Sequence, residues 1–178
     1  DDRLLGEDVG GREAVALARR VKHPSSLAYA LAMAGQAHFL RGEPSPAQER
    51  ADEAIALAEE LGFPLYAGIA RLTRAWGRAV ALGGSEAVAE IRQGFTGLGR
   101  ARLGGGAPCF AAALAEAFWK TGCHDDALEA VALGFAQAEE TGSHHFDAGL
   151  HRLRAEILLE RGGVTAGEAV DLLRRALE

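Results

Sequence analysis

The sequence predicts an all-α chain of antiparallel helix pairs, each pair too thin to bury its own apolar face. Three observations carry this. First, Gly42, Gly62, Gly83, Gly122, Gly142 and Gly162 close periodic runs, while Pro24, Pro44, Pro64 and Pro108 open others, the punctuation of helix ends and starts. Second, small apolar residues recur between these marks at helical spacing. Third, β-branched residues are few, with Ile only at Ile55, Ile69, Ile91 and Ile157, which favours helix over strand.

The elements follow in order. Residues 8–22 read as a helix through Val9, Ala14, Val15, Leu17, Ala18 and Val21. Residues 24–41 form the next, closed by Gly42, and residues 44–61 the third, closed by Gly62. In that third helix Ala47, Ala51, Ala54, Ile55, Ala58 and Leu61 share one face, and Glu49, Arg50, Asp52, Glu53, Glu59 and Glu60 fill the others. Its alanines let neighbouring backbones approach closely. Gly62 supplies the left-handed cap, and Pro64 suits the first turn of the next helix. Residues 64–82, 85–103, 108–121, 124–141 and 144–161 continue the pattern, and a last helix runs from about residue 165. That makes nine helices.

Gly42, Gly83, Gly122 and Gly162 stand 41, 39 and 40 residues apart, and Gly62, Gly104 and Gly142 stand 42 and 38 apart. The run Ala14-Val15-Ala16-Leu17-Ala18 repeats as Ala54-Ile55-Ala56-Leu57-Ala58 at an offset of 40. A two-helix period near 40 marks a helical solenoid, whose core grows with each unit. The whole of 1–178 is therefore expected to be one repeat domain, with a half repeat at 8–23 and pairs at 24–62, 64–104, 108–142 and 144–178. The chain opens on the second helix of a pair, starts at Asp1 without Met and ends at Glu178 inside a helical pattern. It is expected to be a piece of a longer protein.

Composition excludes several classes. Hydrophobic residues at 48% and charged residues at 25% are ordinary for a globular chain. A net charge of −6 argues against nucleic acid as a partner. Cys109 and Cys123 have no CxxC spacing, so free buried thiols in a reducing, cytoplasmic setting are expected. No apolar run is long enough to span a membrane, and no signal peptide is visible.

Catalytic chemistry finds no foothold. Gly104-Gly105-Gly106 lacks a following Gly-Lys-Ser/Thr and a preceding strand, so it is a helix–helix turn and no nucleotide cofactor is implied. His23, His38, His124, His144, His145 and His151 lack metal-ligand spacing. Cys123-His124-Asp125-Asp126 has ligand types, yet its acids belong at a helix N-terminus. Ser25, Ser26, Ser45, Ser85 and Ser143 all fall near helix starts and read as N-caps. Glu59-Glu60 and Glu139-Glu140 diverge as helix neighbours. The chain is expected to be no enzyme, with neither metal nor cofactor.

Leu114-Ala115, Phe118, Gly122, Ala127, Val131 and Gly134 have the spacing of the tetratricopeptide repeat, and the chain resembles that family along its length. Gly35, Gly42, Ala47, Ala51, Ala54 and Gly62 repeat the pattern 80 residues earlier. The texture of Ala115-Glu116-Ala117-Phe118 and Leu172-Leu173-Arg174-Arg175 resembles the C-terminal repeat regions of large bacterial signalling proteins. Those proteins carry a nucleotide-cyclase or DNA-binding output domain and an ATPase module ahead of the repeats. The resemblance implies a right-handed superhelix whose first helices line a concave, partner-binding face. It places Tyr29, Gln36 and Phe39 there on the first full pair, Glu116, Trp119 and Lys120 on the third, and Arg152 and Glu156 on the fourth.

On the second pair Arg71, Arg74 and Arg78 lie at i, i+3 and i+7. Like charges so placed disfavour each other, so a ligand or a neighbouring acid must offset them. Arginine forks match carboxylates, which makes an acidic peptide, or another domain of the same polypeptide, the expected partner. Trp76 and Trp119 compete between core and groove. The function expected is a non-enzymatic interaction scaffold of a signalling protein. The alternatives are a small-molecule inducer sensor and a self-association module forming a homodimer.

Overall fold

The computed structural model describes residues 9–98 and 106–175. Within them the protein is all-α, with nine helices and no strand. They are α1 Val9–Val21, α2 Pro24–Leu40, α3 Pro44–Glu60, α4 Pro64–Leu82, α5 Gly84–Leu98, α6 Ala107–Lys120, α7 His124–Thr141, α8 Asp147–Glu160 and α9 Ala166–Arg175. The expected helical positions 8, 99–103 and 176–178, and two of the three glycines at 104–106, lie outside the described residues.

The glycine punctuation is a repeated cap. Gly42, Gly62, Gly83, Gly122, Gly142 and Gly162 all have φ between +62° and +79°, a region that costs an L side chain energy. After five of them the chain closes alike. Glu43, Phe63, Cys123, Ser143 and Gly163 each donate a backbone N–H to a carbonyl five residues earlier, at 2.7–3.1 Å. This 6→1 bond is the Schellman closure, and it satisfies a carbonyl the helix end would orphan.

The chain folds as two compact units, Asp1–Ala81 and Leu82–Glu178. In the first, α2 packs between α1 and α3. Ala28, Ala47, Ala51, Ala54, Ala58 and Ala70 are buried with Leu31, Leu72 and Trp76. The alanine seam works as expected, since a Cβ on Gly35 would sit 3.4 Å from the Ala47 carbonyl and from Thr73. In the second unit α6 packs on α5, α7 and α8, and α8 packs on α7 and α9. Its core holds Leu114, Phe118, Val131, Leu150 and Ile157, all buried. Gly134 lies so close to Leu150 that an added Cβ would come within 2.7 Å of it.

Four expectations are corrected. Three serines are not N-caps: Ser25, Ser26 and Ser45 lie inside the first turns of α2 and α3, whose caps are His23 and Glu43. His23 caps α2, its Nδ1 accepting the Ser26 N–H at 3.3 Å. Proline at the first helical position fixes where α2 and α3 begin, which moves the neighbouring serines inward. Second, α8 starts at Asp147, three residues later than expected, because Ser143–Phe146 is consumed by the turn. Third, among the described side chains of α1's apolar face Val15 and Ala18 are buried, while Leu17 (51% exposed) and Val21 (58%) are open. Among the described residues α2 is the helix that packs on α1, and α3 reaches it through the Glu53 pair with Arg19 at 2.7 Å. Fourth, both thiols are free, yet only Cys109 is buried and Cys123 is partly exposed.

Candidate interaction face

Helix α2 reads Pro-Ser-Ser-Leu-Ala-Tyr-Ala-Leu-Ala-Met-Ala-Gly-Gln-Ala-His-Phe-Leu and contains no Asp, Glu, Lys or Arg. One side buries Ala28, Leu31, Ala32, Gly35 and Phe39. The opposite side carries Ser26, Tyr29, Met33, Gln36 and Leu40, which share one face at helical spacing. Tyr29 is 51% exposed and Leu40 57%, and Met33 and Gln36 are half-buried. A surface helix ordinarily turns charged residues to water, and one apolar all round is normally covered. Met33, Leu40 and Tyr66 were not among the residues inferred from sequence, although the missing charge in α2 could have revealed this face.

Helix α4 extends it. Tyr29 meets Tyr66 with ring centroids 5.8 Å apart, and Phe39 meets Trp76 edge to face at 4.9 Å. The two contacts lie near opposite ends of both helices in the same order, so α2 and α4 run parallel, side by side. Phe63 stands 6.0 Å from Tyr66, and both pack on buried Ala28, Ala58 and Ala67. Small alanines beneath thus raise an aromatic patch at the start of α2 and α4. Phe39 and Trp76 are core residues, with Trp76 only 1% exposed, so Phe39 offers a partner little surface.

Two of the three arginines of α4 are held by acids. Arg71 Nη2 donates to Glu59 Oε1 at 2.6 Å, and Arg74 lies 3.5 Å from Asp52 Oδ1. The offset to like-charge repulsion therefore comes from α3 for both. Arg78 also has a partner within the protein. These are surface pairs, each worth about 0–1 kcal/mol.

At the α2–α3 turn His38 Nδ1–H donates to Glu43 Oε2 at 2.6 Å, and Arg41 donates to Oε1 at 2.8 Å. The bond from His38, aided by Arg41, holds the Glu43 carboxyl below its ordinary value of 4.5, since a donor to the ionised form favours it.

The second unit distributes its inferred residues otherwise. Glu116 is half-buried on α6. The Trp119 indole N–H donates to Glu160 Oε2, and the Lys120 ammonium stands 4.0 Å over the Trp119 ring. Arg152 and Glu156 pair with each other at 2.7 Å along α8. Trp119 and Lys120 thus form one cluster at the end of α6, and Arg152–Glu156 a separate pair. No group of three or more potential metal ligands occurs among the described residues, and no described helix is long and apolar enough to cross a membrane. Comparisons with protein-family models, curated proteins and solved structures found no match to this chain.

Proposed function

We propose that the chain is a non-enzymatic, tetratricopeptide-like interaction scaffold of a signalling protein, and that a partner segment covers the outer face of α2. The observation that carries this is a helix without a charged residue that leaves Tyr29 and Leu40 in water. Burying such side chains is worth roughly 1.5–3 kcal/mol each, enough for a few anchors to dominate an interface. The aromatic patch of Tyr29, Tyr66 and Phe63 supplies one anchor point and Met33 with Leu40 another.

Arg71 and Arg74 stand on α4, the helix that carries Tyr66. Their exposed pairs with Glu59 and Asp52 are weak enough to be exchanged for carboxylates of the partner. The reading is an extended segment with apolar anchors and acidic neighbours, held by surface complementarity on a preformed face.

Peptides selected from a random 16-residue display library against the intact chain test it. A Tyr29→Ser/Leu40→Ser double variant is expected to bind the selected peptides at least tenfold more weakly, with unchanged helical circular dichroism. An Arg71→Ala/Arg74→Ala/Arg78→Ala variant is expected to weaken them and to flatten their salt dependence. Peptides indifferent to both variants would remove the α2 face from the site.

A further inference from the structure

A second feature of different chemistry lies in the other unit. Leu128, Val131, Ala132 and Phe135 of α7 and Arg154 and Leu158 of α8 line a cleft of about 390 Å³, within the range of small-molecule sites. Its origin is local. Gly134 backs onto Leu150, and Phe135 lies on His151 with rings 4.7 Å apart. Going back one turn along α7 from Phe135 reaches Ala132, then Leu128. Going forward one turn along α8 from His151 reaches Arg154, then Leu158. Large side chains stand at both ends of this run, and a methyl group stands opposite an arginine in the middle. Alanine is too short to fill that step, and an arginine stem turns its head toward water.

The electrostatics are equally specific. Arg154 makes no hydrogen bond or ion pair among the described residues. Its neighbours Arg152 and Arg161 are paired with Glu156 and Asp125 at 2.7 and 2.6 Å. Every other lining residue is uncharged. One unpaired guanidinium over an apolar trough calls for a single anionic head with a hydrocarbon tail. We propose that the α7–α8 cleft binds a small aliphatic carboxylate. Its chain lies against Leu128, Val131, Phe135 and Leu158, and its carboxylate takes a forked pair of hydrogen bonds from Arg154. This site is independent of the α2 face and stands or falls without it.

Titration of the intact chain with octanoate and with octanol, followed by amide chemical shifts, tests the assignment. Octanoate is expected to shift α7 and α8 amides saturably and to bind at least tenfold more tightly than octanol. Arg154→Gln, at an exposed position, is expected to erase that difference by weakening octanoate alone. Ala132→Phe, also at an exposed position, is expected to fill the cleft and abolish both. Equal affinity for the two probes, no saturable shift, or octanoate binding unchanged in both variants would overturn the proposal. So would a concentration-dependent dimer that Ala132→Phe dissociates, which would give the cleft to a second copy, or a peptide that shifts these amides where octanoate does not.

Discussion

Two glycines on α4 look alike in sequence and differ in space. A Cβ on Gly68 would meet nothing within 4 Å, whereas one on Gly77 would fall 2.9 Å from the Pro44 carbonyl oxygen. That oxygen belongs to backbone and cannot swing aside. Gly68→Ala is expected to stabilise the chain by about 0.5–1 kcal/mol through helix propensity. Gly77→Ala is expected to cost about 1–2 kcal/mol, because overpacking of roughly 1–3 kcal/mol outweighs that gain. Urea denaturation of both variants checks the opposite signs. Glu43 provides a pH test at the same scale. Its folded pKa lies below 4.5, so the stability it adds is present above that value and fades as pH falls through the lower folded value. Glu43→Gln is expected to be less stable than the parent at pH 7 and to converge with it well below pH 4.5. A stability gap that persists unchanged at the lowest pH would contradict the His38–Glu43 account.

Helix placement was legible because its signals are local. A left-handed glycine and a first-turn proline leave marks that no tertiary contact has to supply. The residues lost were those that competed for one end, such as the serines displaced by Pro24 and Pro44. The opposite case is α9. Thr165 and Glu168 cap each other there, with Thr165 N–H to Glu168 Oε2 at 2.8 Å and Glu168 N–H to Thr165 Oγ1 at 3.3 Å. That capping box carries its signal in the Thr-to-Glu spacing, which glycine and proline punctuation does not contain. Thr165→Ala is expected to fray α9 by roughly 0.5–2 kcal/mol, seen as faster amide exchange in residues 166–170. The interaction face was only half legible. Tyr29 and Gln36 fall on the open stripe of α2, but Phe39 turned inward, because which sector of an almost uncharged helix is covered depends on its neighbours. The acids facing Arg71 and Arg74 come from α3, at sequence separations of 12 and 22 residues, a pairing that periodicity along one helix cannot disclose.

At the scale of the molecule, each compact unit holds one tryptophan, Trp76 in the first and Trp119 in the second. Fluorescence of Trp76→Phe and Trp119→Phe variants therefore reports each unit separately. Adding Gly77→Ala to both is expected to lower the transition seen by Trp76 more than that seen by Trp119, since damage in a repeat array is felt first by nearest neighbours. The contrast between units also frames the function. Helix α6 resembles α2 in its small apolar composition, yet it is buried from Ala107 through Ala115 and again at Ala117 and Phe118. Helix α2 leaves its corresponding side open. Amide exchange across the whole chain, with and without a saturating selected peptide, tests most directly that a partner covers that side. Protection is expected to rise in residues 24–43 and at the start of α4, with α6 unchanged. Peptide binding that leaves α2 exchange untouched would contradict the account.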